Sequence, residues 1–297
     1  VNRAEDQRWA LIPGVFMNRE QDKNHAFVQV LDGNKGKAYY HRITPFHAEK
    51  DAFDVTIGYS RFTKDKITLD IDDNIGKISG ELQFNNLKPW PVKAFSPGYM
   101  GWYGWLPFLE TYHGVLSFDH EINGTLNIYG QEIDFTGGRG YLEKDWGQSF
   151  PECYIWQQTN HFETPETSLT ASIALVPNVG RTFAGFGIGF WLQGKLYALT
   201  TYNGARVEHL SADDTTVNWV VYNNDYEIRL TSTRSEGGLL MGPERTDMSK
   251  RVDETMKAIV DVELYNRVGM RRSLIYKGQG RNAGLEVVGD ISPLLKA

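Results

Sequence analysis

The stretch MKAIVDVEL, residues 256 to 264, alternates with a period of two: Met256, Ala258, Val260, Val262 and Leu264 fall on one side, Lys257, Asp261 and Glu263 on the other. Successive side chains of an extended backbone point to opposite faces, so the pattern predicts a strand with one buried face. The same alternation recurs along the chain, at Ile67, Leu69 and Ile71, at Ile78, Leu82 and Phe84, and at Leu169, Ala171, Ile173 and Leu175. Val217, Trp219 and Val221 repeat it, as do Tyr226, Ile228 and Leu230. Short turn signals separate these runs: Asp32-Gly33, Asn123-Gly124, Tyr129-Gly130, Gln193-Gly194 and Asn203-Gly204. Several carry the Asn-Gly or Asp-Gly chemistry of two-residue hairpins. Helical periodicity is nearly absent, so the fold class is all-β with hairpin connections. At 297 residues the length favours two consecutive antiparallel barrels or sandwiches over one. The expected division is 1–150 and 151–297, with the softest boundary at Gly147 to Pro151 or at His161 to Ser168.

Composition narrows the partners. The formal charge is −6, with cations scattered among acids, so no basic stripe is available to neutralise nucleic-acid phosphates and no nucleic acid is expected. Apolar runs such as Phe183 to Leu192 are short and broken by glycines, so no membrane span is expected. Cys153 is the sole cysteine, which excludes an internal disulfide and a cysteine-cage zinc site and suits a reducing compartment; cytoplasm is the expected location. Phosphate-binding glycine loops, His-Glu-x-x-His, Gly-x-Ser-x-Gly and EF-hand patterns are all missing from the sequence. Cofactor-independent chemistry, or none, is therefore expected, with no metal. The aromatic share of 13% makes an aromatic-lined pocket for a hydrophobic small molecule plausible.

Two segments depart from the alternation. One is LKPWPVKAFSPGYMGWYGWLPFLETYHGV, residues 87 to 115, too irregular for a strand and too apolar for an ordinary exposed loop. It is expected to cap or line a cavity, with Trp102, Tyr103, Trp105 and Phe108 at its centre. The other is GGRGYLEKDWGQSFPECYIWQQTN, residues 137 to 160. On an extended backbone Glu143 and Asp145 share a face and Lys144 takes the other. One of two neighbouring acids can be held neutral by burial and by the other's charge, which suits proton donation at neutral pH. The competing reading has Asp145 capping a turn and Glu143 paired with Arg139. Glu110, Tyr112 and His113 stand together at a strand start, where they form either a proton relay or a structural hydrogen-bonding group. Trp90, Trp102, Tyr103, Trp105, Trp146 and Trp156 either line a pocket, where ring faces can stabilise a cation, or pack in the core.

The blocks SPGYMGWYGWLPFLETYHGVLSF and FTGGRGYLEKDWGQSFPECYIWQQTN resemble the tocopherol cyclase family. Weaker likeness in ALIPGVF, HAFVQVL, LTTYNGA and AGLEVVGDI extends the resemblance over nearly the whole chain. The resemblance implies a pair of lipocalin-like β-barrels. For the plant and cyanobacterial enzymes it implies closure of a chromanol ring on a prenylated hydroquinone without a cofactor. An acid protonates the alkene, a tertiary cation forms, and the phenol oxygen adds to it. Carried onto this sequence, Ser96, Pro97 and Gly98 match the start of the family's loop, His113 and Gly114 its end, and Glu143 to Gly147 its acidic block. On this basis Asp145 is the expected proton donor, with Glu143 or His113 setting its protonation state. Trp146, Trp102 and Trp105 are the expected cation-facing walls, and Tyr103, Tyr112 and Trp156 complete the substrate-binding set. The expected ligand is an isoprenoid or prenylated quinol, and peripheral membrane contact stays open. A carrier without catalysis and an isoprenoid hydratase remain alternatives at this point. A buried acid of raised pKa favours catalysis, and an acid exposed or locked to Arg139 favours a carrier.

Overall fold

A computed structural model of the chain describes residues 1–19, 22–49, 52–107, 109–178 and 181–296, and most of them enter antiparallel β ladders. The first sheet holds β1 (Trp9–Phe16), β2 (His25–Asp32) and β3 (Lys37–Ile43). The second is built from β4 (Phe46–Ala48), β5 (Asp54–Ile57), β6 (Ser60–Thr63), β7 (Lys66–Asp72), β8 (Lys77–Asn85), β9 (Thr111–Ile128), β10 (Gln131–Asp134) and β11 (Gly138–Gly147). Its order is β10-β9-β8-β7-β6-β5-β4, and β11 also pairs with the long β9.

The third sheet contains β12 (Tyr154–Thr159), β13 (His161–Phe162), β14 (Thr167–Asn178), β15 (Arg181–Leu192), β16 (Lys195–Thr200) and β17 (Arg206–Ala212). It continues with β18 (Thr216–Tyr222), β19 (Tyr226–Thr233), β20 (Gly238–Gly242), β21 (Lys250–Val268) and β22 (Arg271–Val288). Its order is β16-β15-β14-β12-β22-β21-β19-β18-β17, with β13 added to β22 and β20 to β21. The edges β16 and β17 do not pair with each other among the described residues, so the ladder is an open path and not a hydrogen-bonded closed barrel.

Local chemistry accounts for most of the connections. Tyr129-Gly130 and Gln193-Gly194 both hold positive φ at the two central residues, 54° and 85° in the first and 48° and 86° in the second. That geometry matches the right-handed twist of the flanking strands. Asn123-Gly124 is a correction: it lies inside β9 and does not turn. Gly124 instead lets β9 cross close to β8, where an added Cβ would stand 2.1 Å from the Glu81 carbonyl oxygen.

Alternating positions supply two separate apolar cores. Phe62, Ile78 and Leu126 belong to one, under the second sheet. Trp219, Phe190 and Val260 belong to the other, under the third. A smaller cluster joins them: Trp90, Tyr99, Val115 and Phe118 are buried together against Trp191, Leu196 and Ala198 of β15 and β16. The irregular segment before β9 is thereby fastened to the third sheet, and a 3₁₀ turn at Gly101–Trp105 faces the gap between the sheets. No helix among the described residues is long and apolar enough to cross a membrane.

Candidate functional site

A cavity of about 190 Å³ opens where β9 and β11 of the second sheet meet β12, β14, β15 and β22 of the third. Its lining is mainly apolar, including Tyr103, Leu109, Phe150, Val176, Phe183 and Phe186. Into this setting project four acids and one imidazole: Glu143, Asp145, His113, Glu286 and Glu110, the last ion-paired with Arg245. Antiparallel register explains the first group. Asp145 lies opposite His113 and Glu143 opposite Val115, so both acids and the imidazole leave the ladder on the same face. The register slips between Gly140 and Glu143, a bulge of the kind that re-aims side chains.

Glu143 is the best-supported acid. Its Oε2 accepts from the Tyr141 hydroxyl at 2.7 Å and from Trp156 Nε1 at 3.0 Å, and His113 Nε2 stands 3.7 Å from it. Thr170 Oγ1 lies 3.0 Å from the Tyr141 oxygen and can donate to it, since that phenol's proton is given to Glu143. Burial pushes the Glu143 carboxyl up to about 7, with the Asp145 charge adding to the rise while His113 and the Tyr141 bond oppose it. A substantial neutral fraction therefore persists near neutrality. Arg139 is committed elsewhere, to Asp119 at 2.7 Å, so Glu143 is not locked to it.

Asp145 takes a different position. It accepts from His113 Nδ1 at 2.7 Å, and its side chain keeps 32% exposure against 23% for Glu143. Burial alone would lower the His113 imidazole, but Asp145 and then Glu143 outweigh it and hold it at about 9. His113 is thus cationic at neutral pH, with a buried Nε2 that makes no hydrogen bond. The Tyr99 ring meets it edge-on at 4.7 Å. Tyr99 in turn donates to the Gly187 carbonyl oxygen, while Ser172 N and Oγ lie 3.2 and 2.8 Å from its hydroxyl. One ligand atom each from His113, Glu143 and Asp145 lie within 4.8 Å of one another, close enough for a cation in geometry. The proton held by His113 works against that use.

The expected aromatic wall is only partly present. Tyr103 and Trp156 line the cavity, but Trp102, Trp105, Trp146 and Tyr112 do not. Periodicity gives the reason. Trp146 shares strand parity with Lys144, whose ammonium sits 4.5 Å above its ring, and both face away from the acids. Tyr112, one residue before His113, stacks on Trp146 at 5.4 Å and donates to the Leu106 carbonyl oxygen. In the 3₁₀ turn, residues three apart eclipse, so Trp102 and Trp105 share a side and are exposed while Tyr103 turns inward. Trp90 is a core residue stacked on Phe118. Phe108 lies outside the described residues.

Sequence reading missed a second acidic pair. Glu286 lines the cavity from β22, opposite Trp156 of β12 and opposite Glu254 of β21. Burial raises Glu286 to about 7, and burial followed by the Glu286 charge raises Glu254 well above the carboxylate range. A signal was present for Glu254, an acid on the same alternating face as Met256 and Ala258.

The profile of the family described as tocopherol cyclase-like matches residues 24–289. The chain belongs to this family. A probable chloroplastic tocopherol cyclase of Oryza sativa subsp. japonica is 30% identical over 108 residues, 35% of this chain and 23% of that protein. The chloroplastic tocopherol cyclase of Zea mays is 26% identical over 160 residues, 52% of this chain and 34% of that protein. The matched regions thus span about a third or less of these relatives. The crystal structure of CghA with Sch210972 superposes with a TM-score of 0.55 at 11% identity, covering 95% of this chain and 85% of that one. At that identity the likeness concerns the fold.

Proposed function

We propose that this family member protonates an alkene of an isoprenoid lipid bound in the cavity and closes a ring onto an oxygen of the same molecule, without a cofactor. The observation that carries this reading is Glu143: an acid near pKa 7 on an apolar cavity, with donors for its conjugate base already in place. Residues 1–150 and 151–297 are read as two lipocalin-like units meeting at this cavity, supported by their separate cores.

In the proposed reaction Glu143 donates from Oε1, the oxygen not occupied by Tyr141 and Trp156. The acid's O–H bond breaks, a C–H bond forms, and a tertiary cation remains on the substrate. The Tyr141 hydroxyl, the Trp156 N–H and the His113 cation stabilise the carboxylate left behind, a preorganised response to charge as it develops. Tyr103 and Phe183, 5.9 Å apart and tilted, offer ring faces to the cation. The substrate hydroxyl then adds to the cation, a C–O bond forms, and the released proton restores the acid. Substrate and product share one formula. The donor role expected of Asp145 passes to Glu143 in this proposal, and Asp145 becomes the residue that keeps His113 charged.

Two results are expected. Because the neutral form of Glu143 is the donor, turnover should hold at low pH and fall about tenfold per pH unit above about 7; a profile that rises through that range would remove Glu143 as the acid. Asp145→Asn should lower the His113 titration midpoint seen by NMR and slow turnover by roughly tenfold, less than loss of the donor. The functional assay offers prenylated hydroquinones of increasing chain length. An isomer of unchanged mass supports cyclisation, a product heavier by one water means hydration, and binding without conversion makes the protein a carrier.

A further inference from the structure

The segment from Leu87 to Pro107 holds two lysines and no acid, in a chain of net charge −6; Lys88 is ion-paired with Glu166 at 3.6 Å, and Lys93 is the cation of the open side. Its inner side is firmly anchored: Trp90 and Tyr99 are buried, and the Tyr202 hydroxyl donates to the Tyr99 carbonyl oxygen at 2.8 Å. Its outer side is apolar and open to water. A tight turn, closed by the Lys93 N to Ser96 O and Ser96 N to Lys93 O bonds of 2.9 and 3.0 Å, holds Phe95 91% exposed. Val92 beside it is exposed, as are Trp102 and Trp105 of the 3₁₀ turn, the latter at 65%. Trp102 stacks at 4.1 Å on Tyr103, which lines the cavity, so this outer face is continuous with the cavity rim.

Large rings held in water on an ordered loop mark an interaction surface. Tryptophan with lysine and no acid is the composition that settles at the boundary between anionic headgroups and acyl chains. We propose that this rim is the face by which the protein sits on a lipid bilayer with anionic headgroups. Phe95, Trp102 and Trp105 enter the interface, Lys93 meets headgroup phosphates, and the cavity mouth opens toward the lipid. The purpose of the contact, loading an apolar substrate from the membrane, rests on the proposed function; the contact itself does not.

The test is co-sedimentation of the full chain with phosphatidylcholine vesicles and with 3:1 phosphatidylcholine–phosphatidylglycerol vesicles. The wild type is expected to pellet with the anionic vesicles and to be released by high salt. The combined Phe95→Ser, Trp102→Ser, Trp105→Ser variant, checked for an unchanged melting curve, is expected to lose at least tenfold in binding. Lys93→Glu should weaken binding to anionic vesicles alone. A second exposed apolar tip, Val268 at the end of β21 and Met270 in the turn after it, is the control, and Met270→Ser should bind as the wild type does. The proposal is overturned if the wild type ignores both vesicles, if the triple variant binds as well as the wild type, or if Met270→Ser is the variant that fails. It is also overturned if the patch instead drives dimerisation in solution. Vesicle binding without turnover would leave this inference standing and remove the proposed function.

Discussion

Glu143→Gln is expected to lower turnover by roughly 10²–10⁴ while the ligand still binds, because Gln keeps the acceptor for Tyr141 and Trp156 but has no acidic proton to transfer to an alkene. The same variant carries a stability signature that a bystander would not. The folded value of about 7 lies above the ordinary 4.5, so the native state holds a proton that the unfolded chain releases. Stability from this group is full below the ordinary value and is lost as pH rises through about 7. Between pH 5 and pH 8 the wild type should lose about 2–3 kcal/mol that the variant does not. Urea unfolding at the two pH values measures the difference. Parallel curves for the two proteins would mean that Glu143 is ionised throughout and is no candidate donor.

Gly187→Val should be the most damaging single change at the cavity wall. A Cβ at Gly187 would lie 2.7 Å from Tyr99 Cζ and 2.8 Å from its hydroxyl oxygen. The Tyr99 ring is buried and its hydroxyl is bound to Gly187 and Ser172, so it cannot swing aside without abandoning those bonds. Overpacking of this kind costs about 2–3 kcal/mol, and the displaced ring would also lose its edge contact with His113. Thermal unfolding and turnover should therefore fall together. An additional Tyr99→Leu change should recover part of the stability and none of the hydroxyl's hydrogen bonds. A Gly187→Val protein as stable and active as the wild type would show that Tyr99 does not fix this wall.

Strand periodicity made most of the fold legible. The run from Met256 to Leu264 lies in β21 with the expected side buried, and Gln193-Gly194 turns where its chemistry says it should. The apolar loop before β9 does approach a cavity. Asn123-Gly124 misled because a glycine within a strand can serve close backbone crossing as well as a turn. At the site, alternation placed Glu143 and Asp145 on one face. The same parity, applied to Trp146 and Tyr112, excludes them from it, and the resemblance to a family loop masked that consequence. Burial decided the remainder. Which of two acids stays neutral depends on Tyr141, Trp156 and the surrounding apolar side chains, and Glu286 arrives from a strand more than a hundred residues further along the chain. Local spacing carries no information about such a meeting.

The most direct measurement is incubation of the protein and of Glu143→Gln in heavy water with a lipid extract of the host, followed by mass analysis of the products. Alkene protonation predicts a product of unchanged formula carrying one non-exchangeable deuterium, formed by the wild type and not by Glu143→Gln. Equal labelling by both proteins would contradict the assignment of the donor, and a lipid that co-purifies unlabelled with the wild type would contradict catalysis itself.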